Sequence, residues 1–222
     1  MSKEYKRNTV KRLPKRAVYD RDIINKILDE ALVCHVSIAD GKQPFVIPTI
    51  HARQGNCLLF HGLKGGRLLQ HIRSGKELCV AVTLLDGIVL ARSAFHHSIS
   101  YRSAVLFGTG SLVEDNQEKL EALRIISEHV VPGRWKDVRP PNEKELKKTT
   151  VVSMTIVDAS AKVRDGIPND EIEDYALPIW AGCIPLKLEA LTPYDDPKLI
   201  EGMKPPEYAV RYKRVPEKSG SD

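Results

Sequence analysis

The 222-residue chain has no long apolar run. A membrane helix needs roughly 18 consecutive apolar residues, and no stretch here reaches that length. The N-terminus also lacks the apolar core of a secretory signal. We therefore expect a cytoplasmic protein with no membrane partner.

Closely spaced cysteine pairs, which are typical of zinc sites, are also missing. The four cysteines are Cys34, Cys57, Cys79 and Cys183. Three of them lie in apolar, strand-like runs, where cysteine is usually a small buried residue. The adjacent His96 and His97, taken as strand residues, would point to opposite faces and could not share a metal ion. We expect neither a metal site nor a disulfide.

Net positive charge is confined to one short segment. The formal net charge is +5, but residues 1–21 hold eight cations and two anions, so the remainder is nearly neutral. This pattern favours a solvated lead-in segment over a nucleic-acid-binding surface. We expect a basic arm at residues 1–18, one domain at 19–191 and a Pro- and Lys-rich tail at 192–222.

Short apolar runs separated by turn residues predict a mainly β chain with peripheral helices, arranged as an antiparallel barrel. Asp86-Gly87 is interpreted as a turn between two strands. The predicted strands cover residues 33–38, 44–52, 57–61, 78–85, 88–93, 101–113, 151–157 and 179–191. The predicted helices begin after Asp20 or Asp22, at Arg67, after Asp115 and after Asn142.

The most informative segment is 58–69, where a strand-like run ends at His61 and a glycine-rich turn leads into a short helix. Glycines let backbone N–H groups approach an anion, and Lys64 and Arg67 add positive charge. The start of the helix points its positive dipole end at the same place. The turn is neither a Walker loop nor a dinucleotide fingerprint. It indicates a phosphate site, and the alternative is an ordinary turn with solvated cations.

Three further positions carry side chains suited to a cofactor. His61 could donate a hydrogen bond to a ligand or shuttle a proton, or the backbone could satisfy it locally. Tyr101, Arg102 and Ser103 suit an aromatic cofactor with polar edges, or an ordinary strand with a surface arginine. Trp180 could cover a flat ring or belong to the core.

Several segments occur together in a recognisable order between about residues 15 and 190. They are PFVIPT (44–49), FHG (60–62), GRL (66–68), YRSAVLFG (101–108), VPG (131–133), EKELK (143–147), SAKVR (160–164) and WAG (180–182). Together they resemble the pyridoxamine-phosphate-oxidase-related flavin-binding proteins, and among these the 5-nitroimidazole-reductase-like (Nim-type) branch. The resemblance implies a split β-barrel and a homodimer with FMN, or alternatively FAD, at the dimer interface.

The resemblance also implies roles for individual residues. The flavin ring would be lined by Val46, Ile47, Pro48 and Thr49. The phosphate would be held by Lys64, Gly65, Gly66 and Arg67, where Gly66 replaces a serine that the family often carries. Ser103 would touch the ring edge, Trp180 would reach in from the partner subunit, and His61 matches a histidine implicated in reductase activity. The remaining cofactor-binding candidates are Leu68, Tyr101 and Arg102.

The implied function is that of a flavin-dependent oxidoreductase, which passes electrons from NAD(P)H through FMN to a small acceptor such as a nitro-aromatic compound. The alternatives are a non-catalytic flavin sensor or carrier, and a split-barrel enzyme that uses haem or deazaflavin. Oxidation of pyridoxamine phosphate itself is disfavoured, because no second phosphate site is evident in the sequence.

Overall fold

The computed structural model describes residues 6–63 and 65–213. Nine strands dominate it: β1 (Ala17–Val18), β2 (Val33–Asp40), β3 (Gln43–Ile50), β4 (Ala52–Gln54), β5 (Cys57–Leu63), β6 (Glu77–Leu90), β7 (Ser98–Val113), β8 (Thr149–Arg164) and β9 (Gly182–Pro185). The α-helices are α1 (Arg21–Glu30), α2 (Arg67–Arg73), α3 (Asn116–Val130), α4 (Glu143–Lys148) and α5 (Glu207–Val210). The mainly β class with peripheral helices is confirmed.

All strand pairs are antiparallel, in the order β3-β2-β6-β7-β8-β5-β4, with β1 on β8 and β9 on β6. β3 and β5 stand far apart in this order yet contact each other. The sheet therefore curls round a core and brings β3 next to the turn that follows β5.

Side-chain alternation separates the core from the outer face of the sheet. On β2, Cys34, Val36 and Ile38 are buried in the core, while His35 points away from it and is exposed. A second apolar cluster, centred on Leu59 and Val151, lies under α3. The inward-facing side chains of the long strands β7 and β8 belong to the same core.

The predicted helix starts are confirmed. The Asp20 carboxylate accepts hydrogen bonds from the backbone N–H groups of Asp22 and Ile23. Asp115 caps α3 in the same way, and Asn142 with Glu145 forms a capping box on α4. No described helix is long and apolar enough to span a membrane.

Three secondary-structure predictions were wrong. Asp86-Gly87 is no turn: β6 runs through it, and the β6–β7 register shifts between Leu85 and Gly87, where β9 also joins the strand. The closing strand predicted at 179–191 is limited to β9, which pairs only with residues 87–90 of β6. His96 lies in a short 3-10 turn (Ala94–His96) that joins β6 to β7, and His97 follows it, so neither is a strand residue.

Candidate functional site

The turn between β5 and α2 has the open backbone that the glycines predicted. Gly65 has φ +94°, a conformation that a side chain would strain, and a β carbon there would meet nothing within 4 Å. Gly66 is the N-cap of α2, and its carbonyl accepts hydrogen bonds from Leu69 N–H (3.0 Å) and Gln70 N–H (3.2 Å). Lys64, the other predicted phosphate-binding cation, lies outside the described residues.

Arg67 is placed by an aromatic side chain of the neighbouring strand. Its guanidinium carbon lies 3.9 Å from the centroid of the Phe45 ring on β3. Such a contact favours a cation over the ring face and leaves the N–H groups free to bind an anion. Leu68 instead packs against the core. Of the described residues in this turn, Arg67 therefore supplies the charge and Leu68 anchors the helix.

The predicted flavin-lining segment alternates between the two faces of β3. Val46, which is 60% exposed, and Pro48 point outward, whereas Ile47 packs against the core. Thr49 lies on the same side as Ile47, and its hydroxyl donates to the Ile50 carbonyl (3.3 Å). Only Val46 and Pro48 thus offer side chains to a ligand on the outer face.

Tyr101 and Ser103 lie on this outer face, with Arg102 on the other side of β7. Tyr101 pairs with Leu85, and Ser103 pairs with Thr83. The Ser103 hydroxyl donates to the Lys162 carbonyl at 3.4 Å, a long bond that a better acceptor could replace. A hydroxyl and a phenol are therefore available on the same face as Val46 and Pro48.

Arg102 is held in an ion-pair network. Its guanidinium donates to both Asp86 oxygens (2.9 and 2.7 Å) and to both oxygens of Glu30, one of them at 2.7 Å. Hydrogen bonds to these two carboxylates raise the pKa of Arg102 above its ordinary value, and the bond to Glu30 has the larger effect. The structure thus gives Arg102 a structural position that joins α1 to β6 and β7, away from the outer face.

His61 lies on the exposed side of β5, two residues before the strand ends, and pairs with Val151 of β8. Within the described part of the chain, no hydrogen bond satisfies its ring. Desolvation by the surrounding protein lowers its pKa below the ordinary value, although the side chain remains exposed. The lowered pKa keeps the ring neutral over a wider range of pH.

Trp180 stands outside the core, contrary to one of the two sequence interpretations. Its side chain is 67% exposed and rests on Gly182, where a β carbon would lie 2.8 Å from the indole. The benzene edge of the indole therefore lies against Gly182, and most of the ring surface is exposed.

Sequence reasoning missed His35, which lies on the outer face between Pro48 of β3 and Ala81 of β6. The signal was present in its position between the buried Cys34 and Val36. Five other histidines already have partners: His51 with the Leu28 carbonyl, His71 with the Glu77 carbonyl, His129 with the Ala31 carbonyl, His97 with the Ala91 N–H and His96 with Glu171. Across residues 6–63 and 65–213, no group of three or more His, Cys, Asp or Glu side chains could hold a metal ion.

The chain is similar to a known protein family and to proteins of known structure. The family model described as Pyridoxamine 5'-phosphate oxidase matches residues 20–163. Flavocytochrome Anf3 from Azotobacter vinelandii is 38% identical, with a TM-score of 0.88 over 94% of this chain and 97% of that chain. The FAD and Heme binding protein from Mycobacterium smegmatis is 32% identical, with a TM-score of 0.83 over 87% of this chain and 95% of that chain.

A candidate 5-nitroimidazole antibiotic resistance protein from Bacteroides thetaiotaomicron is 24% identical, with a TM-score of 0.57 over 66% of this chain and 86% of that chain. At that identity the likeness concerns the fold alone. No curated protein matches the chain. The predicted split-barrel fold is confirmed by the two longer matches. Since the family model covers more than half of the sequence, the chain belongs to the pyridoxamine 5'-phosphate oxidase family.

Proposed function

We propose that this chain is a flavin-binding redox protein that passes electrons from NAD(P)H to a small acceptor. The observation that carries the proposal is the stacking of Arg67 on Phe45, which fixes a cation at the β5–α2 turn beside β3, the strand that carries Val46 and Pro48 on its outer face. The similarity to a flavocytochrome and to an FAD and Heme binding protein supports it.

The residues present fit a flavin nucleotide. Gly65 leaves open space at the turn, so that a phosphate could approach the backbone next to Arg67. Val46 and Pro48 offer an apolar surface to a ring, and Ser103 offers a hydroxyl to its polar edge. The sequence alone favoured FMN, whereas one of the two more similar proteins is an FAD binder, which favours FAD.

A bound flavin would supply the hydride and electron transfer. The chain's own contribution is to bind, orient and protonate. Arg67 would balance the phosphate charge, and Ser103 would orient the ring edge. Because the pKa of His61 is lowered, its ring would accept a hydrogen bond at neutral pH and donate a proton only in more acidic solution.

We further propose that the protein works as a homodimer. Large apolar side chains are exposed on the outer face and along the C-terminal segment, among them Val46 (60%), Leu85 (56%), Trp180 (67%) and Leu191 (86%). Packing against a second copy of the chain would remove this apolar surface from water. In a dimer the open indole of Trp180 would be available to the partner's flavin.

A second candidate is a protein that holds haem as well as flavin. The two most similar structures reported above favour it, since one is a flavocytochrome and the other binds haem. Histidine is a common haem ligand, and among the described residues the rings of His35 and His61 are exposed and form no side-chain hydrogen bond. Either could hold the iron from the outer face.

Anaerobic reduction tests the proposal and separates an enzyme from a carrier. Protein loaded with FAD or FMN is mixed with NADPH or NADH, and the flavin absorbance is followed before and after a nitro-aromatic acceptor is added. We expect reduction by a nicotinamide and reoxidation by the acceptor. Tight flavin binding without reduction by either nicotinamide would leave the sensor or carrier function as the better account.

A further inference from the structure

A cavity lies at the N-terminal end of β7 and shares no lining residue with the flavin site described above. It is about 620 Å³ in volume and opens between the N-terminal segment at residues 12–16, the 3-10 turn before β7 and the end of β8. Organic ligands usually occupy cavities of roughly 300–1,000 Å³, so its size suits a small molecule.

The cavity is strongly cationic. Arg12, Lys15, Arg16 and Arg164 line it, against the single carboxylate of Asp165. Within the described residues, Arg12, Lys15 and Arg16 form no ion pair. Four cations without matching carboxylates repel one another, and a polyanion would relieve that repulsion.

The Nε2 atoms of the two cavity histidines are hydrogen-bond donors. The Ala91 N–H donates to Nδ1 of His97 at 3.1 Å, so the neutral ring must carry its proton on Nε2. Nε2 of His96 is 3.3 Å from Glu171 and is likewise a donor. Neither Nε2 offers a lone pair to iron or zinc, whereas the Nε2 proton of His97 can bind a phosphate oxygen.

An exposed aromatic ring completes the lining. Phe95 is 89% exposed, and its ring meets His96 edge-on with 5.2 Å between centroids. Stacking on such a ring is a common way of holding a nucleobase. The cavity therefore combines a platform for a flat heterocycle with donors for several phosphate oxygens.

Strand register places this cavity beyond the ring end of the flavin site. Val46 follows Phe45, the residue on which Arg67 stacks. Across the sheet, Val46 pairs with Ser37, Ser37 pairs with Cys79, and Cys79 pairs with Phe107 on β7. Ser103 lies four residues further along β7, or about 14 Å, and Ser98 at the cavity about 17 Å beyond Ser103. A dinucleotide with its nicotinamide near Ser103 could therefore reach the cavity with its adenylate half.

We infer that this cavity binds the adenosine-diphosphate half of the reduced nicotinamide dinucleotide. The inference rests on the proposed function for the identity of the dinucleotide. Adenine would stack on Phe95, and the phosphates would bind Arg12, Lys15 and His97. The flavin phosphate, held at Arg67, stays at the opposite end of the site.

The first test is calorimetric titration of the purified full chain with ADP. The variant Arg12→Glu/Lys15→Glu reverses two cavity charges, and Lys119→Glu/Lys144→Glu makes the same change of net charge on α3 and α4. We expect wild type and control to bind ADP, and the cavity variant to bind it at least tenfold more weakly. Phe95→Ala, at an exposed position that spares the fold, should weaken ADP binding about fivefold or more. Equal ADP affinity in the cavity and control variants, or no ADP binding by wild type, would overturn the inference.

The second test uses NADPH with flavin-loaded protein. The cavity variant should raise the KM for NADPH about tenfold while kcat and flavin affinity stay unchanged, and the control variant should change none of them. An unchanged KM contradicts the inference even when flavin is bound and reduced. ADP binding by a protein that holds no flavin would contradict the proposed function alone, so the two failures are distinguishable.

Discussion

Arg67 and Phe45 form a cation–π pair, with the guanidinium carbon 3.9 Å from the ring centroid. The pair joins the first residue of α2 to the edge strand β3 across the point where the sheet closes. It therefore fixes the position of the cation relative to Val46 and Pro48, the side chains that would lie under a flavin ring.

Charge reversal at this pair should weaken flavin binding. A charge-assisted contact contributes roughly 1.5–3 kcal/mol, so Arg67→Glu should cost at least tenfold in flavin affinity. Arg73→Glu, at the other end of α2, makes the same charge change away from the turn and serves as the control. Fluorescence titration with FAD and FMN measures both. Equal affinity in the two variants would remove Arg67 from the phosphate site.

Much of the fold could be predicted from the sequence, because local signals decided it. The aspartate and asparagine caps set the starts of the helices, and the alternation of apolar and polar residues set the faces of the strands. The bulge at Gly87 could not be predicted, since Asp-Gly is also a turn signal and only the pairing with β9 decides between them.

The candidate site was predictable only in part, for a similar reason. The glycine turn and Arg67 were visible in one segment. The pairing of Arg67 with Phe45, the outward position of His35 and the engagement of Arg102 by Glu30 depend on contacts between residues distant in sequence. Residue type alone did not show that Arg102 belongs to an ion-pair network while Ser103 lies on the outer face.

His61 should affect turnover in a pH-dependent way. Its lowered pKa means that the protonated ring forms only below the ordinary value of about 6.5. If His61 donates a proton, His61→Ala should reduce kcat by about 10²-fold or more in acid, with a smaller effect above neutral pH. Turnover with NADPH and a nitro-aromatic acceptor at a series of pH values measures this. If the ratio of the wild-type kcat to the His61→Ala kcat is the same at every pH, His61 is not the proton donor.

The lowered pKa of His61 also makes the stability of the folded protein depend on pH. A histidine whose pKa is lower in the folded state takes up its proton more readily when unfolded, so stability is lost as pH falls below about 6.5. Wild type should therefore lose more stability than His61→Ala between neutral and mildly acidic pH. Urea unfolding at each pH tests this and identifies the range in which the rates compare folded protein.

Trp180 should link flavin binding to the dimer. Trp180→Ala removes an exposed indole, so the isolated fold should stay intact, while flavin affinity falls and flavin fluorescence changes. Trp180→Phe keeps an aromatic ring and should retain most of the affinity. Light scattering on the flavin-loaded wild type should give the mass of a dimer. A monomer mass with flavin bound would contradict the interface.

Arg102 should matter for stability more than for flavin affinity. Its side chain is 31% exposed and donates to two carboxylates, so Arg102→Met should cost about 1.5–3 kcal/mol in the free energy of unfolding. Arg124→Met breaks an exposed pair with Glu121 on α3 and should cost less than about 1 kcal/mol. Urea denaturation compares the two. If Arg102→Met lowers flavin affinity and leaves the free energy of unfolding unchanged, Arg102 binds the cofactor instead.

The absorption spectrum of the purified protein tests most directly whether this chain binds a flavin. Mass spectrometry of the chromophore released on denaturation then identifies it. We predict flavin bands and the mass of FAD or FMN, with an added Soret band if haem is also held. A colourless protein that takes up neither FAD nor FMN on reconstitution would contradict the account.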